Sequence, residues 1–280
     1  MHTALFLYTI LGLIIGTFLN VCIYRIPRRE SVAFPGSHCP SCGKPIHFYD
    51  NVPVLSYLLL RGKCRACGAA ISPQYPLVEM LTALAFFGCA LKWNFSTPTY
   101  VNSIFLSVII ILIFTDFHHR ILPNILTLPG IIAGIVLSPF QEPSIFADPF
   151  SFSFRLARLI SPEHPQLLLP WIHSVMAAII GGGSLLFVAL VYEKIRKKQG
   201  LGMGDVKMTA MVGAFLGWPL ALLTIFAGSF FGSCLGVLLI LFKRADMQTK
   251  LALGVFLGIG SAISLFYGLP LVYWYLRIPK

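Results

Sequence analysis

The chain has 280 residues, 57% of them hydrophobic and only 11% charged, with a mean hydropathy of +0.82. Soluble single domains of this size are not that apolar, so the composition points to a polytopic membrane protein. The formal charge of +11 would suggest nucleic acid in a soluble protein, but here the bases lie in short loops between apolar runs, where they set orientation.

The first apolar run, Thr3 to Cys22, offers about 20 positions, enough to span a bilayer at ~1.5 Å per residue. It lacks a basic stretch ahead of it and is followed by Arg25, Arg28 and Arg29. It therefore reads as a retained span with its N-terminus outside, not as a cleaved signal. Asn20, near its inner end, either pairs with a neighbouring helix or caps backbone at the interface.

From Tyr24 to Pro76 the composition turns polar and rich in proline and glycine. Cys39-Pro40-Ser41-Cys42 and Cys64-Arg65-Ala66-Cys67 lie here, 21 residues apart, each followed by a glycine, Gly43 and Gly68. Four thiolates at this spacing fit a tetrahedral zinc ribbon whose metal would supply the folding energy of a segment too short to bury a core. The competing readings are two disulfides, a redox pair or idle thiols. His38 and His47 are rival ligands ranked below the cysteines. Cys22, Cys89 and Cys234 sit in apolar runs and read as packing residues.

Further spans follow at Leu77 to Leu91, Tyr100 to Thr115 and Ile121 to Phe140. The third of these is interrupted by Pro123 and Pro129 and is expected to begin irregularly. Gln141 to His173 is a polar outer segment with an amphipathic stretch, Ser151 to Ile160. Ser174 to Tyr192 carries Gly181-Gly182-Gly183, which suits close helix packing. A basic turn, Glu193 to Lys198, leads to Met208 to Gly217, short for a span. Leu220 to Phe242 and Leu251 to Leu276 complete the set, with Lys243, Arg244 and Lys250 between them. The expected fold is all-α, a polytopic membrane protein of about eight transmembrane helices with a small cytosolic zinc-ribbon-like insertion between the first two. The units are residues 1–23, 24–76, 77–140, 141–173 and 174–280. In this topology all the Lys and Arg fall on the inner side except Lys92, Arg155, Arg158, Arg277 and Lys280. That places the cysteine segment at the cytosolic face.

Ten acids occur in the whole chain, and acids at membrane depth are costly enough to be read as functional. Asp205 opens an apolar run and is preceded by Gly202 and Gly204, with Lys207 just after it. Asp116 closes another run, at the turn Asp116-Phe117-His118-His119-Arg120. Two carboxylates at the rim of apolar segments can share a proton and activate water, the chemistry of aspartic proteases. The competing reading makes each Asp a separate helix cap or ion pair.

These residues resemble the type IV prepilin peptidases, a family of GxGD membrane aspartic proteases. Gly202-Met203-Gly204-Asp205-Val206-Lys207 resembles the GxGDxK signature, and Asp116 with Ile121-Leu122-Pro123-Asn124 resembles the region of the first catalytic aspartate. Gly16-Thr17-Phe18-Leu19-Asn20-Val21 with Tyr24-Arg25-Ile26-Pro27, the paired CxxC knuckles, and Ile71 to Glu79 match in kind and order. The chain departs from the family at Gly254-Val255, where a Gly-Pro pair is usual, and its outer segment is longer. The resemblance implies an inner-membrane enzyme, with Asp116 and Asp205 catalytic, that cuts the basic leader of prepilins or pseudopilins after a glycine at the cytosolic face. It also implies N-methylation of the new N-terminus with S-adenosylmethionine, associated with the zinc-bearing segment, in service of type IV pili or type II secretion. Outside that resemblance, a transporter or proton channel and a zinc-bearing membrane scaffold are the rival readings.

Overall fold

The computed structural model describes residues 2–142, 152–160, 164–197, 201–242 and 252–276. Among them the regular structure is helical, with isolated bridges only in the cysteine segment. In chain order the helices are α1 (His2–Arg25), α2 (Leu55–Leu59), α3 (Gln74–Trp93), α4 (Thr97–His119) and α5 (Asn124–Leu137). They continue with α6 (Phe152–Ile160), α7 (Pro165–Arg196), α8 (Met203–Leu216), α9 (Trp218–Leu241) and α10 (Leu253–Leu276). Six of these, α1, α3, α4, α7, α9 and α10, are long and apolar enough to cross a membrane. The shorter apolar helix α5 and the 14-residue α8 join them, and the chain is a polytopic membrane protein. Phe187 and Phe226 illustrate what a bilayer covers, lying 68% and 70% exposed on α7 and α9.

The chain divides into two compact units, Met1–Thr115 and Asp116–Lys280. In the first, α1 packs along α3. Gly12 and Gly16 make this possible, because a Cβ on Gly12 would meet Ala83 Cα at 2.8 Å and one on Gly16 would meet Glu79 Cα at 2.6 Å. Small residues four apart let two backbones approach where the lipid offers no hydrophobic drive of its own. Tyr8 closes the far end, packed on Phe86 and Ala90 and donating its hydroxyl to Ser103 Oγ at 2.9 Å.

In the second unit α8 is the central element, packed by α5, α7, α9 and α10. Met208, Thr209, Met211, Val212, Ala214 and Leu216 are fully buried along it. Gly181 and Gly182 on α7 face Thr209 and Ala210, and Gly213 on α8 lies against the Ala177 carbonyl. The Gly181-Gly182-Gly183 run therefore packs closely as expected, although Gly183 itself faces open space.

Several boundaries differ from the sequence expectation, among them the start of α8, at Met203 and not Met208. α4 does not turn at Asp116 but continues to His119, because nothing in Asp116 to His119 opposes helix and the first breaker is Pro123; Arg120, at φ 53, ends it. α7 begins at Pro165 and not at Ser174, since proline is well placed in a first helical turn, and the helix runs for 32 residues. The amphipathic stretch forms α6 from Phe152, while residues 143–151 and 161–163 of the outer segment lie outside the described residues. So do Lys198 and the turn with Lys243, Arg244 and Lys250. Cys22 and Cys89 are buried as packing residues, but Cys234 is exposed on α9.

Candidate active site and metal centre

The two cysteine knuckles are backbone copies of one another. In the first, the Gly43 N–H donates to the Cys39 carbonyl and the Cys39 N–H to that of Lys44, at 2.8 and 2.9 Å. In the second, the Gly68 N–H donates to the Cys64 carbonyl and the Cys64 N–H to that of Ala69, both at 2.8 Å. Gly43 and Gly68 have φ of 70 and 72, left-handed values that suit glycine. The turns bring Cys39, Cys42, Cys64 and Cys67 together, with all four sulfurs within 4.8 Å of one another. Cys39 and Cys67 sulfurs stand 3.9 Å apart, close to the ~3.8 Å edge of a tetrahedron with Zn–S bonds of ~2.3 Å. That is far beyond a disulfide bond, and all seven cysteines are free.

The N–H groups of Cys42 and Ser41 aim at the Cys39 sulfur and lower its thiol to about 6. Cys67 receives the Ala69 N–H, yet desolvation and the other three thiols push it up to about 11. Four sulfurs this close do not all ionise without a cation among them, and the donor set fits a tetrahedral metal. His38 and His47 are not in the cluster; His38 bonds the Gly36 carbonyl and His47 stacks on Tyr49. Outside the sulfurs, Arg65 forms a two-pronged pair with Asp50 that holds the Asp50 carboxyl below the usual range. Arg25, buried at the end of α1, donates to the carbonyls of Ser31, Pro35 and Gly36 and so shapes the entry to the segment.

The two aspartates lie at the ends of helices in the second unit. Asp205 occupies the first turn of α8, after Gly202 as N-cap, and its N–H donates to the Gly202 carbonyl at 3.1 Å. Asp116 sits in the last turn of α4, 6% exposed. Leu122 links the two acids, abutting Gly204, next to Asp205, and Gly254, which lies against the Asp116 carboxylate. The two glycines serve different purposes. A Cβ on Gly202 would crowd the Asp205 carboxylate at 3.3 Å, whereas one on Gly204 would meet Leu122 Cβ at 2.9 Å.

Leu122 also touches the start of α10, where a Cβ on Gly254 would come within 3.1 Å of its Cδ1 and 2.8 Å of Asp116 Oδ2. The Val255 N–H donates to Asp116 Oδ2 at 3.2 Å, so the positive end of α10 faces this carboxylate. Lys207 reaches Asn124 Oδ1 at 2.9 Å, joining the first turns of α8 and α5. Gly254, Val255 and Asn124 were not site candidates from sequence. Gly254-Val255 stands out in the sequence only as a departure from a pattern, and Asn124 only as part of the stretch that resembles the region of the first catalytic aspartate.

Two shielded carboxylates sharing a site suit proton transfer to and from a water and a carbonyl. Residues 10–93 match the model of the bacterial peptidase A24 N-terminal domain, and residues 103–237 match that of the type IV leader peptidase family. A protein of Myxococcus xanthus named prepilin leader peptidase/N-methyltransferase is 36% identical over 248 residues, which are 88% of this chain and 66% of that relative. Proteins of the same name from Pseudomonas aeruginosa and Pseudomonas putida are 31% and 30% identical, over 96% and 94% of this chain and 92% and 90% of the relatives. No solved structure matches. The helical membrane architecture, the cysteine cluster and these matches agree that the chain belongs to the type IV leader peptidase family.

Proposed function

We propose that the chain is a prepilin leader peptidase and N-methyltransferase of the inner membrane, and that Asp116 and Asp205 are its catalytic pair. The observation that supports the pair most directly is that Leu122 abuts both Gly204, next to Asp205, and Gly254, against the Asp116 carboxylate, which the α10 N–H orients. One carboxylate, ionised, takes a proton from water; the other, protonated, donates to the scissile carbonyl as the water oxygen bonds to its carbon. Collapse of the tetrahedral adduct breaks the C–N bond, the leaving nitrogen takes the proton held by the first acid, and a hydroxyl of the adduct returns a proton to the second as the C=O bond reforms. The two acids act as a unit.

The substrate is the basic leader of a type IV prepilin or pseudopilin, cut at the cytosolic face, with the N-terminus of the enzyme outside. In this reading residues 24–76 are a cytosolic metal-binding segment tied to methyl transfer, residues 77–140 and 174–280 carry the two aspartates, and residues 141–173 are extracytoplasmic. The metal is zinc on Cys39, Cys42, Cys64 and Cys67. S-Adenosylmethionine supplies the electrophilic methyl group.

The test is the mass of a leader-bearing prepilin incubated with purified enzyme. Wild type removes the leader and adds a methyl group. Asp116→Ala and Asp205→Ala each lose cleavage by about 10³-fold or more while keeping their metal. A fully active variant of either aspartate overturns the assignment.

A further inference from the structure

The seam between α1 and α3 holds a carboxylate that peptide hydrolysis does not use. Glu79 is 6% exposed, and among the described residues no basic side chain pairs with it. Its Oε1 accepts the Thr17 hydroxyl at 3.0 Å and its Oε2 the Val54 N–H at 2.7 Å. An ionised carboxylate offers about four lone-pair sites, so acceptor capacity is left over.

The group that gives the second of these bonds is held in a strained form. Val54 has φ 61 and ψ −48, and the Leu55 N–H bonds the Pro53 carbonyl across it. That is a γ-turn of the rare kind, on a β-branched residue. Strain like this persists where surrounding structure holds a working group in place.

A second acceptor stands beside Glu79. Asn20, 3% exposed, lies one helical turn from Gly16, which abuts Glu79. Its Nδ2 donates to the carbonyls of Gly16 and Tyr75 at 3.3 and 3.0 Å, which fixes the amide's orientation. Its Oδ1 is buried without a hydrogen-bond partner. Tyr75 is one turn before Glu79 on α3, so the two acceptors stand on adjacent turns of the seam, and helical side chains lean toward their own N-termini and thus toward one another here.

We propose that Glu79 and Asn20 form a binding site for a primary ammonium group that serves methyl transfer. The inference rests on the methyltransferase reading above and assigns residues to it. An ammonium brings several N–H donors and one positive charge, the complement of a carboxylate and an orphan amide oxygen. Two reactants carry one: the N-terminus freed by cleavage and the amino-acid end of the methyl donor. If the guest is the N-terminus, an N–H bond breaks and its proton passes to the Glu79 carboxylate. The lone pair so freed forms the N–C bond as the donor's C–S bond breaks, with that electron pair staying on sulfur.

The test is calorimetric binding to the full-length, metal-loaded enzyme, without turnover. One arm compares a synthetic peptide that begins just after the cleavage site with its N-acetylated form. The other compares S-adenosylmethionine with methylthioadenosine, which lacks the amino-acid end. The expected result is discrimination of about tenfold or more within one pair, which identifies the guest, and its loss in Glu79→Gln and in Asn20→Ala. In turnover, the ratio of methylated to cleaved product falls by about 100-fold in Glu79→Gln, each variant being its own folding control through cleavage and metal content. Discrimination that survives Glu79→Gln, or neither pair being discriminated by wild type, overturns the assignment alone. A wild-type enzyme that cleaves and never methylates overturns the methyltransferase reading, and the assignment with it.

Discussion

The backbone N–H of Val255 meets Oδ2 of Asp116 at 3.2 Å, which makes a peptide group, not a side chain, the partner of this acid. A proline at this position would have no N–H to offer there. Val255→Pro is expected to fold, since Pro is tolerated in a first helical turn, but to cleave about tenfold more slowly through loss of one charge-assisted bond. Single-turnover cleavage compared with Val255→Ala, which keeps the N–H, is the measurement. Equal rates would show that the bond contributes nothing to the reaction.

Lys207 and Asn124 form a second link, between the two stretches that carry the aspartates. Lys207→Met and Asn124→Leu are each expected to lower cleavage by roughly three- to tenfold, and the double variant by no more than either single one. Additive losses in this cycle would mean that the two side chains act independently.

Metal analysis should find one ion per chain, held at the four cysteines, and Cys39→Ser should lose it. Cys39 has its thiol lowered from its ordinary 9.0 to about 6, so its contribution is present above the higher value and is lost as the pH falls through the lower one. Metal affinity is therefore expected to fall with pH across that window, and loading to release protons. Chelator competition at several pH values checks both.

Gly16→Ala places a Cβ where the Glu79 Cα already stands, and neither backbone can give way. Thermal unfolding should report a loss of about 1–3 kcal/mol, with a fall in the methylated fraction of cleaved product. A variant as stable as wild type would mean that α1 and α3 can part by the width of a methyl group at no cost.

Much of this fold was legible because an apolar run long enough to span is a helix by necessity, and the runs at Thr3, Leu77, Tyr100 and Leu220 became α1, α3, α4 and α9. Helix ends were less legible. Asp116 looked like the start of a turn because the hydropathy ends there, yet hydropathy marks the lipid boundary while the helix obeys only its breakers. The packing role of Gly12 and Gly16 was not legible, although their spacing is in plain view and Gly16 belongs to a family-like motif, because the more conspicuous glycine run at Gly181 carries the packing argument. The cysteine cluster was legible because four identical ligands at matched spacing leave little choice of partner. The Val255 contact was not legible at all. A backbone N–H is common to nearly every residue type, so the sequence carries no mark of which one will meet a carboxylate.

α8 is only 14 residues long, about 21 Å, against a hydrocarbon layer of about 30 Å. Its neighbours, not lipid tails, are what surround it. A helix that faces lipid must tilt or shift when the bilayer thins or thickens, but one sheathed in protein has no such gauge to follow. The depth at which Asp205 lies is thus inherited from the contacts of Gly181, Gly182 and Gly213, and a change in membrane thickness reaches it only through the neighbouring helices that take up the strain.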